Sequence, residues 1–264
     1  MSNVPNTFFG TILFLLQNYG GSLLRGAGTT LLIAVISTFI GVIIGLIVGV
    51  IMTIPNGMND GPIKKGFLWT VKKLLFVYIE VFRGTPMMVQ AMFIYYGAMQ
   101  VFNLDMGMWF AALFIVSINT GAYMAETTRG GILSIDKGQT EGAKAIGMSH
   151  WQTMTNVIMP QALRNIMPQI GNNLIINIKD TSVLSVISVT ELFFTGKGVA
   201  GVYYKTFETF AIVSIIYLIM TVTCSKILRW MEKKMDGADN YDLATKDTLA
   251  HTSGMALYME KEDD

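Results

Sequence analysis

Gln169, Asn173, Asn177 and Asp180 follow one another at steps of four, four and three residues in a largely apolar stretch. At about 100° per residue they share one narrow helical face. Three carboxamides and a carboxylate so arranged suit a zwitterion, with amides for its carboxylate and Asp180 for its ammonium group. Amide side chains inside a membrane also serve as hydrogen-bonding glue between helices, here at a dimer interface. Ionisable groups at that depth point by default to a pathway. A second face carries Glu80, Arg83, Met87 and Gln90, with Gly84-Thr85-Pro86 in its midst. Glu80 and Arg83 are spaced to pair, while Pro86 removes a backbone donor and loosens the helix. Arg83, Thr85 and Gln90 therefore join the first four as candidate path-lining residues, with snorkelling to water as the alternative for Arg83. A single cysteine, Cys224, and two histidines, His150 and His251, exclude a multi-cysteine or histidine-rich centre, so no metal site is expected. No span carries a nucleophile–base pair, which disfavours an enzyme.

The elements that hold these residues must lie in a bilayer. Of 264 residues 52% are hydrophobic and only 14% charged, with a mean hydropathy of +0.49, against roughly 25% charged in soluble domains. The formal net charge of +1 supplies no basic field for nucleic acid. Gaps between charges place apolar spans near residues 29–54, 74–102, 106–125, 165–187 and 209–225. The expected fold is therefore all-α, with about five transmembrane helices. With the C-terminus inside, segments 55–73, 126–164 and 226–264 hold 14 lysines and arginines, against 4 on the opposite side. That bias places the N-terminus outside. Residues 1–24, broken by Asn18, Gly20 and Gly21, are read as an interfacial segment, 25–230 as the membrane domain, and 231–264 as a polar, disordered cytoplasmic tail.

Segment 134–160 is the most patterned part of the chain. Asp136 with Gln139 fits an N-cap followed by glutamine three residues on, Ser149 with Gln152 is a second capping box, and Gly147 suits a left-handed C-cap between them. The result is a helix–glycine–helix elbow, with the second helix running toward Pro160. An amphipathic connector resting on the bilayer is the plainer alternative. Gly142, Ala143 and Ala145 leave little bulk around Glu141, so a partner surface can approach closely.

Glu141, Ala143, Gly147, Val157, Met159 and Pro160 resemble the loop of bacterial ATP-binding-cassette importer permeases whose pattern is Glu-Ala-Ala, three residues, Gly, nine residues, Ile-x-Leu-Pro. Gly142 departs from its middle alanine, and Val157 and Met159 are conservative changes. Phe82-Arg-Gly-Thr-Pro86 through Gln90, Phe93-Ile-Tyr-Tyr-Gly97, Ala122-Tyr-Met-Ala-Glu126, Arg129-Gly-Gly131, Gly138-Gln139, Lys179-Asp-Thr-Ser182 and Ser188-Val-Thr-Glu-Leu192 extend the likeness. Together they cover roughly residues 25–230. The chain thus resembles the permease subunit of histidine/glutamine/glutamate/arginine-type polar amino acid importers. The resemblance implies a bacterial cytoplasmic membrane location, a second permease chain (identical or related), two ATPase subunits and an extracytoplasmic amino-acid-binding protein. It also implies that Glu141, Gly142, Ala143, Gly147 and Pro160 couple the spans to the ATPases. The chain has no Gly-x-x-x-x-Gly-Lys-Ser/Thr phosphate loop, so ATP and Mg belong to those partners and no cofactor is expected here. Readings kept beside this one are a permease for another small solute such as an opine, and a self-sufficient carrier or channel.

Overall fold

A computed structural model of the chain describes residue 5, residues 7–55 and residues 61–235, and no strand occurs among them. Nine α-helices follow in order among these residues. They are α1 (Phe8–Thr53), α2 (Pro62–Gly84), α3 (Met87–Phe102), α4 (Met108–Leu133), α5 (Lys137–Ala145), α6 (His150–Thr153), α7 (Met159–Asp180), α8 (Leu192–Tyr203) and α9 (Thr206–Met235). A π-turn, Met154–Ile158, joins α6 to α7, and a 3₁₀ segment, Thr181–Ile187, follows α7. Helices α1, α4 and Thr206–Met231 of α9 are long and apolar enough to cross a bilayer, and His150–Ile187 with Leu192–Tyr203 forms a bent pair that adds a fourth. Phe39, Phe93 and Leu218 remain 61–79% exposed. Outward apolar bulk of this kind suits lipid, where backbone polar groups must be satisfied within helices.

Residues 8–24 do not form a helix of their own. Helix α1 runs unbroken for 46 residues, about 69 Å at 1.5 Å per residue. The Gly20–Gly21 pair brings neither a proline nor a capping side chain to stop it. Leu15 and Leu23 are buried, and Tyr19 shares a 3.0 Å hydrogen bond with Tyr203 of α8. The apolar stretch 74–102 is likewise not one helix. Thr85 adopts φ −120° and ψ 147°, and Pro86 opens α3, because a proline disfavours α geometry in the residue before it. Of the expected tail, Met231–Met235 continue α9, and residues 236–264 lie outside the described residues.

The α1–α4 pair forms the spine, and its closeness depends on three glycines four apart. A Cβ added at Gly41, Gly45 or Gly49 would stand 2.6, 2.3 or 2.5 Å from the Cβ of Thr120, Met124 or Thr128 respectively. Small residues at this spacing let helix backbones approach in a membrane. The motif Gly41-x-x-x-Gly45-x-x-x-Gly49 was legible in the sequence as a packing signal, and the charge-gap reading passed over it. Two apolar clusters flank the spine. Leu15, Leu23, Ala34, Ile178, Leu192 and Ile212 gather on one side, and Met124, Ile132, Met154, Ile158 and Ile166 lie where α4 meets the elbow.

The stretch 179–208 also holds a helix that the charge pattern did not suggest. Glu191, fully buried, starts α8 by accepting the amides of Phe193 (2.9 Å) and Phe194 (2.7 Å). Its carboxylate also accepts the hydroxyls of Tyr217 (2.9 Å) and Thr30 (3.3 Å), tying α8 to α9 and α1. A buried charge needs such a full set of donors to be tolerated.

Candidate functional site

The elbow is built as its residues dictate. Helix α5 starts at Asp136, whose carboxylate accepts the Gly138 amide at 2.6 Å. The box expected with Gln139 is not reciprocated, because the Gln139 side chain instead accepts from Gln161 at 3.4 Å. Helix α5 ends in a Schellman motif: Met148 N–H donates to the Ala143 carbonyl (3.1 Å) and Gly147 N–H to that of Lys144 (2.9 Å). Gly147 holds φ +83°, the left-handed region that favours glycine. Ser149 then opens the second arm with both halves of a capping box, Ser149 N–H to Gln152 Oε1 at 2.8 Å and Gln152 N–H to Ser149 Oγ at 3.3 Å.

That second arm does not stop near Pro160. It passes through the π-turn, where Met159 N–H donates to the Met154 carbonyl, and continues as α7. Pro160 has no N–H and its ring crowds the preceding turn, which explains a local shift of the bond ladder just ahead of it. One helical run, residues 150–180, thus joins the elbow to Asp180. Of the elbow residues, Glu141, Gly142 and Gly147 are exposed, Pro160 is exposed on α7, and Ala143 is buried. Ile146 and Trp151 are 79% and 68% exposed beside them.

At the far end of the run, the polar candidates divide. Thr85, Asn173, Asn177 and Asp180 line one cavity of about 270 Å³, together with Pro86, Met87, Asn119, Thr120, Tyr123 and Ile176. The cavity lies at the break between α2 and α3, against α4 and α7. Among the described residues, the Asp180 carboxylate has no hydrogen bond and no ion pair. Asn177 is engaged in the chain's own packing: its Nδ2 donates to Thr38 Oγ1 (2.7 Å) and Thr120 Oγ1 (2.9 Å), joining α7 to α1 and α4. Asn173 donates to the Gln169 carbonyl (3.0 Å) and to Met124 Sδ (3.3 Å). Gln169 itself is exposed and outside the cavity lining. Arg83 is not paired with Glu80. Its guanidinium lies 5.7 Å from the ring centroid of Tyr123, a cavity residue.

Gln90 is buried behind the break. Its Nε2 donates to the Phe82 carbonyl (2.9 Å), the Thr85 carbonyl (2.9 Å) and Thr85 Oγ1 (2.8 Å). Asn119 Nδ2 donates to the same Phe82 carbonyl (3.1 Å) and to Gln90 Oε1 (2.9 Å). The cause is Pro86: with no N–H four residues on, the Phe82 carbonyl lacks a helical partner, and two carboxamides replace it. Asn119, Thr120 and the apolar Ile176 line the cavity without belonging to any pattern read from the sequence. A lone Asn in the middle of the uncharged stretch 106–125 was the available signal. Replacing Gln90 with Leu, or Asn119 with Ala, is expected to destabilise the assembled protein by about 1–2 kcal/mol each. The double variant should cost about 1 kcal/mol less than the sum, since the pair acts as a unit. Thermal unfolding of purified protein measures this; additive losses would show that the amides act separately.

The chain matches the family described as binding-protein-dependent transport system inner membrane component over residues 63–237. It is 45% identical over 168 residues to the glutamine transport system permease protein GlnP of Escherichia coli (strain K12), covering 63% of this chain and 77% of that protein. It is 32% identical over 217 residues to the arginine transport system permease protein ArtQ of Bacillus subtilis (strain 168), covering 82% and 94%. A solved structure of an amino acid ABC transporter with histidines superposes with a TM-score of 0.73 at 35% identity, covering 84% of this chain and 97% of that one. An elbow of the spacing read from the sequence, a polar cavity within apolar helices and a match across two thirds of the chain agree: this chain belongs to the binding-protein-dependent transport system inner membrane components.

Proposed function

We propose that the chain is the membrane-spanning subunit of an ATP-driven importer of polar amino acids. In this reading five crossings enclose the path with a second permease chain: α1, the broken α2–α3 pair, α4, the bent pair and α9. The N-terminus lies outside and the C-terminus inside. An external binding protein delivers the substrate, and two separate ATPase subunits, which hold ATP and Mg, receive the elbow at the exposed Glu141, Gly142 and Gly147, with Ala143 packed beneath them. The observation that carries the proposal is the single helical run from the capped elbow to the polar cavity. A continuous helical run of about 31 residues, its bond ladder loosened at the π-turn and at Pro168, can pass a push at one end toward Asp180 at the other. In the cavity, Asp180 offers an unpaired carboxylate for an ammonium group, and the side-chain oxygens of Asn119 and Asn173, whose N–H groups are engaged within the chain, can accept from a side-chain amide.

Asp180→Asn should lower ATP-driven uptake roughly tenfold or more, the scale of one charge-assisted hydrogen bond at about 1.5–3 kcal/mol. The variant should reach the membrane in normal amount, since Asp180 supports no contact of the fold. Uptake into proteoliposomes, compared at equal protein content, measures it. An unchanged rate and affinity would remove Asp180 from the path.

A further inference from the structure

Behind the elbow lies a second cavity, of about 430 Å³, which none of the roles above uses. It is enclosed by the end of α1 (Thr53, Pro55), the end of α4 (Ile132, Leu133, Ile135) and the inner faces of the elbow. Lys137, Thr140 and Lys144 stand on α5 at steps of three and four, so one helical face turns two ammonium groups toward it. His150 and Thr153 add polar atoms from α6, while Met154 and Ile158 continue an apolar floor. Among the described residues, no carboxylate lines the cavity. The two carboxylates of α5 and its cap are placed elsewhere: Asp136 caps α5 through the Gly138 amide, and Glu141 is exposed outside the lining. Among the described residues, Lys137, Lys144 and His150 have no ion pair and no side-chain hydrogen bond. Two unpaired lysines facing the ends of two apolar helices form a cationic rim over an aliphatic base.

We infer that this cavity binds a phosphate-bearing anion, and specifically the headgroup of an anionic phospholipid whose acyl chains lie along the aliphatic floor. The two lysines and the Thr140 hydroxyl supply donors for phosphate oxygens, the Thr53 and Thr153 hydroxyls being spent on the Val50 and Ser149 carbonyls, and the setting at the ends of α1 and α4 places them where headgroups lie. Free phosphate shares the polar half of this chemistry and leaves the apolar floor unused. A lipid held here would brace the elbow against α1 and α4.

The test uses the permease purified with its ATPase partners and reconstituted in nanodiscs of phosphatidylcholine, with or without phosphatidylglycerol. After extraction into mild detergent, retained lipid is counted by native mass spectrometry. Wild type should keep phosphatidylglycerol in preference to phosphatidylcholine. The double variant Lys137→Gln/Lys144→Gln should keep it about 30-fold more weakly, at roughly 1 kcal/mol for each lysine near an anionic lipid surface. Lys233→Gln/Lys234→Gln, which removes the same charge elsewhere, should keep it as wild type does. Equal retention by the wild type and the Lys137/Lys144 variant, or equal loss in both variants, would overturn the inference. Lysine-dependent binding of inorganic phosphate without retained phosphatidylglycerol would overturn the lipid assignment. This readout needs neither uptake nor ATP turnover, so its failure is separable from failure of the importer reading.

Discussion

Gly147→Val should leave the complex assembled and its ATPases turning over while substrate uptake falls about tenfold or more. Gly147 is exposed, and a Cβ built there meets nothing within 4 Å. Its requirement is therefore backbone geometry alone. At φ +83° an L-residue costs on the order of 1–2 kcal/mol, most for a β-branched one. Relief of that strain opens the Schellman bonds from Met148 and Gly147 and changes the angle between α5 and α6. A bias of about 1.4 kcal/mol shifts a two-state equilibrium tenfold. Gly147→Asn supplies the control, because asparagine tolerates the left-handed region and fills similar space. The expected order of uptake is glycine, then asparagine, then valine, at equal ATPase content. Equal uptake by the valine variant would show that the elbow angle does not carry coupling.

Gly45→Leu should have the larger effect on the protein itself. The added Cβ alone would stand 2.3 Å from Met124 Cβ and 2.7 Å from the Met124 carbonyl carbon. Backbone cannot yield as a flexible side-chain tip can, so α1 and α4 must separate. Overpacking of this kind costs on the order of 3 kcal/mol. Separation also stretches the Asn177 links to Thr38 and Thr120, which span the same three helices. The expected outcome is loss of most folded protein from detergent extracts, read by size-exclusion chromatography of a fluorescent fusion. Gly28→Leu, where a Cβ meets nothing within 4 Å, should behave as wild type. A normal yield for Gly45→Leu would mean that the α1–α4 contact is not the spine.

Much of the functional layout could be read from residues because it rests on local chemistry. The elbow followed from Gly147 and the Ser149–Gln152 box, both of which act within a few residues. The polar face of α7 followed from periodicity. Other features depended on contacts between distant segments. Asn177 and Gln90 have the residue type of path-lining groups, yet both are engaged by partners on other helices. Only the positions of Thr38 and Asn119 decide that. The continuity of α1 was hidden because Asn18, Gly20 and Gly21 suggested a break, whereas burial of Leu15 and Leu23 against the rest of the chain supports the helix. The run of α6 into α7 was hidden by Pro160, which displaces one turn into π geometry instead of ending the helix. Charge gaps located apolar stretches but carried no information on where Pro86 divides one of them.

The central claim is that this chain forms part of a path driven by ATP hydrolysis on separate subunits. It is tested most directly by reconstituting the chain, purified from native membranes with whatever ATPase accompanies it, into proteoliposomes. Uptake of labelled glutamine and arginine is followed with and without ATP and the external binding protein. The account predicts accumulation of a polar amino acid against its gradient only when both are present. Flux that proceeds without nucleotide, or a chain that purifies with no ATPase in several mild detergents, would contradict it.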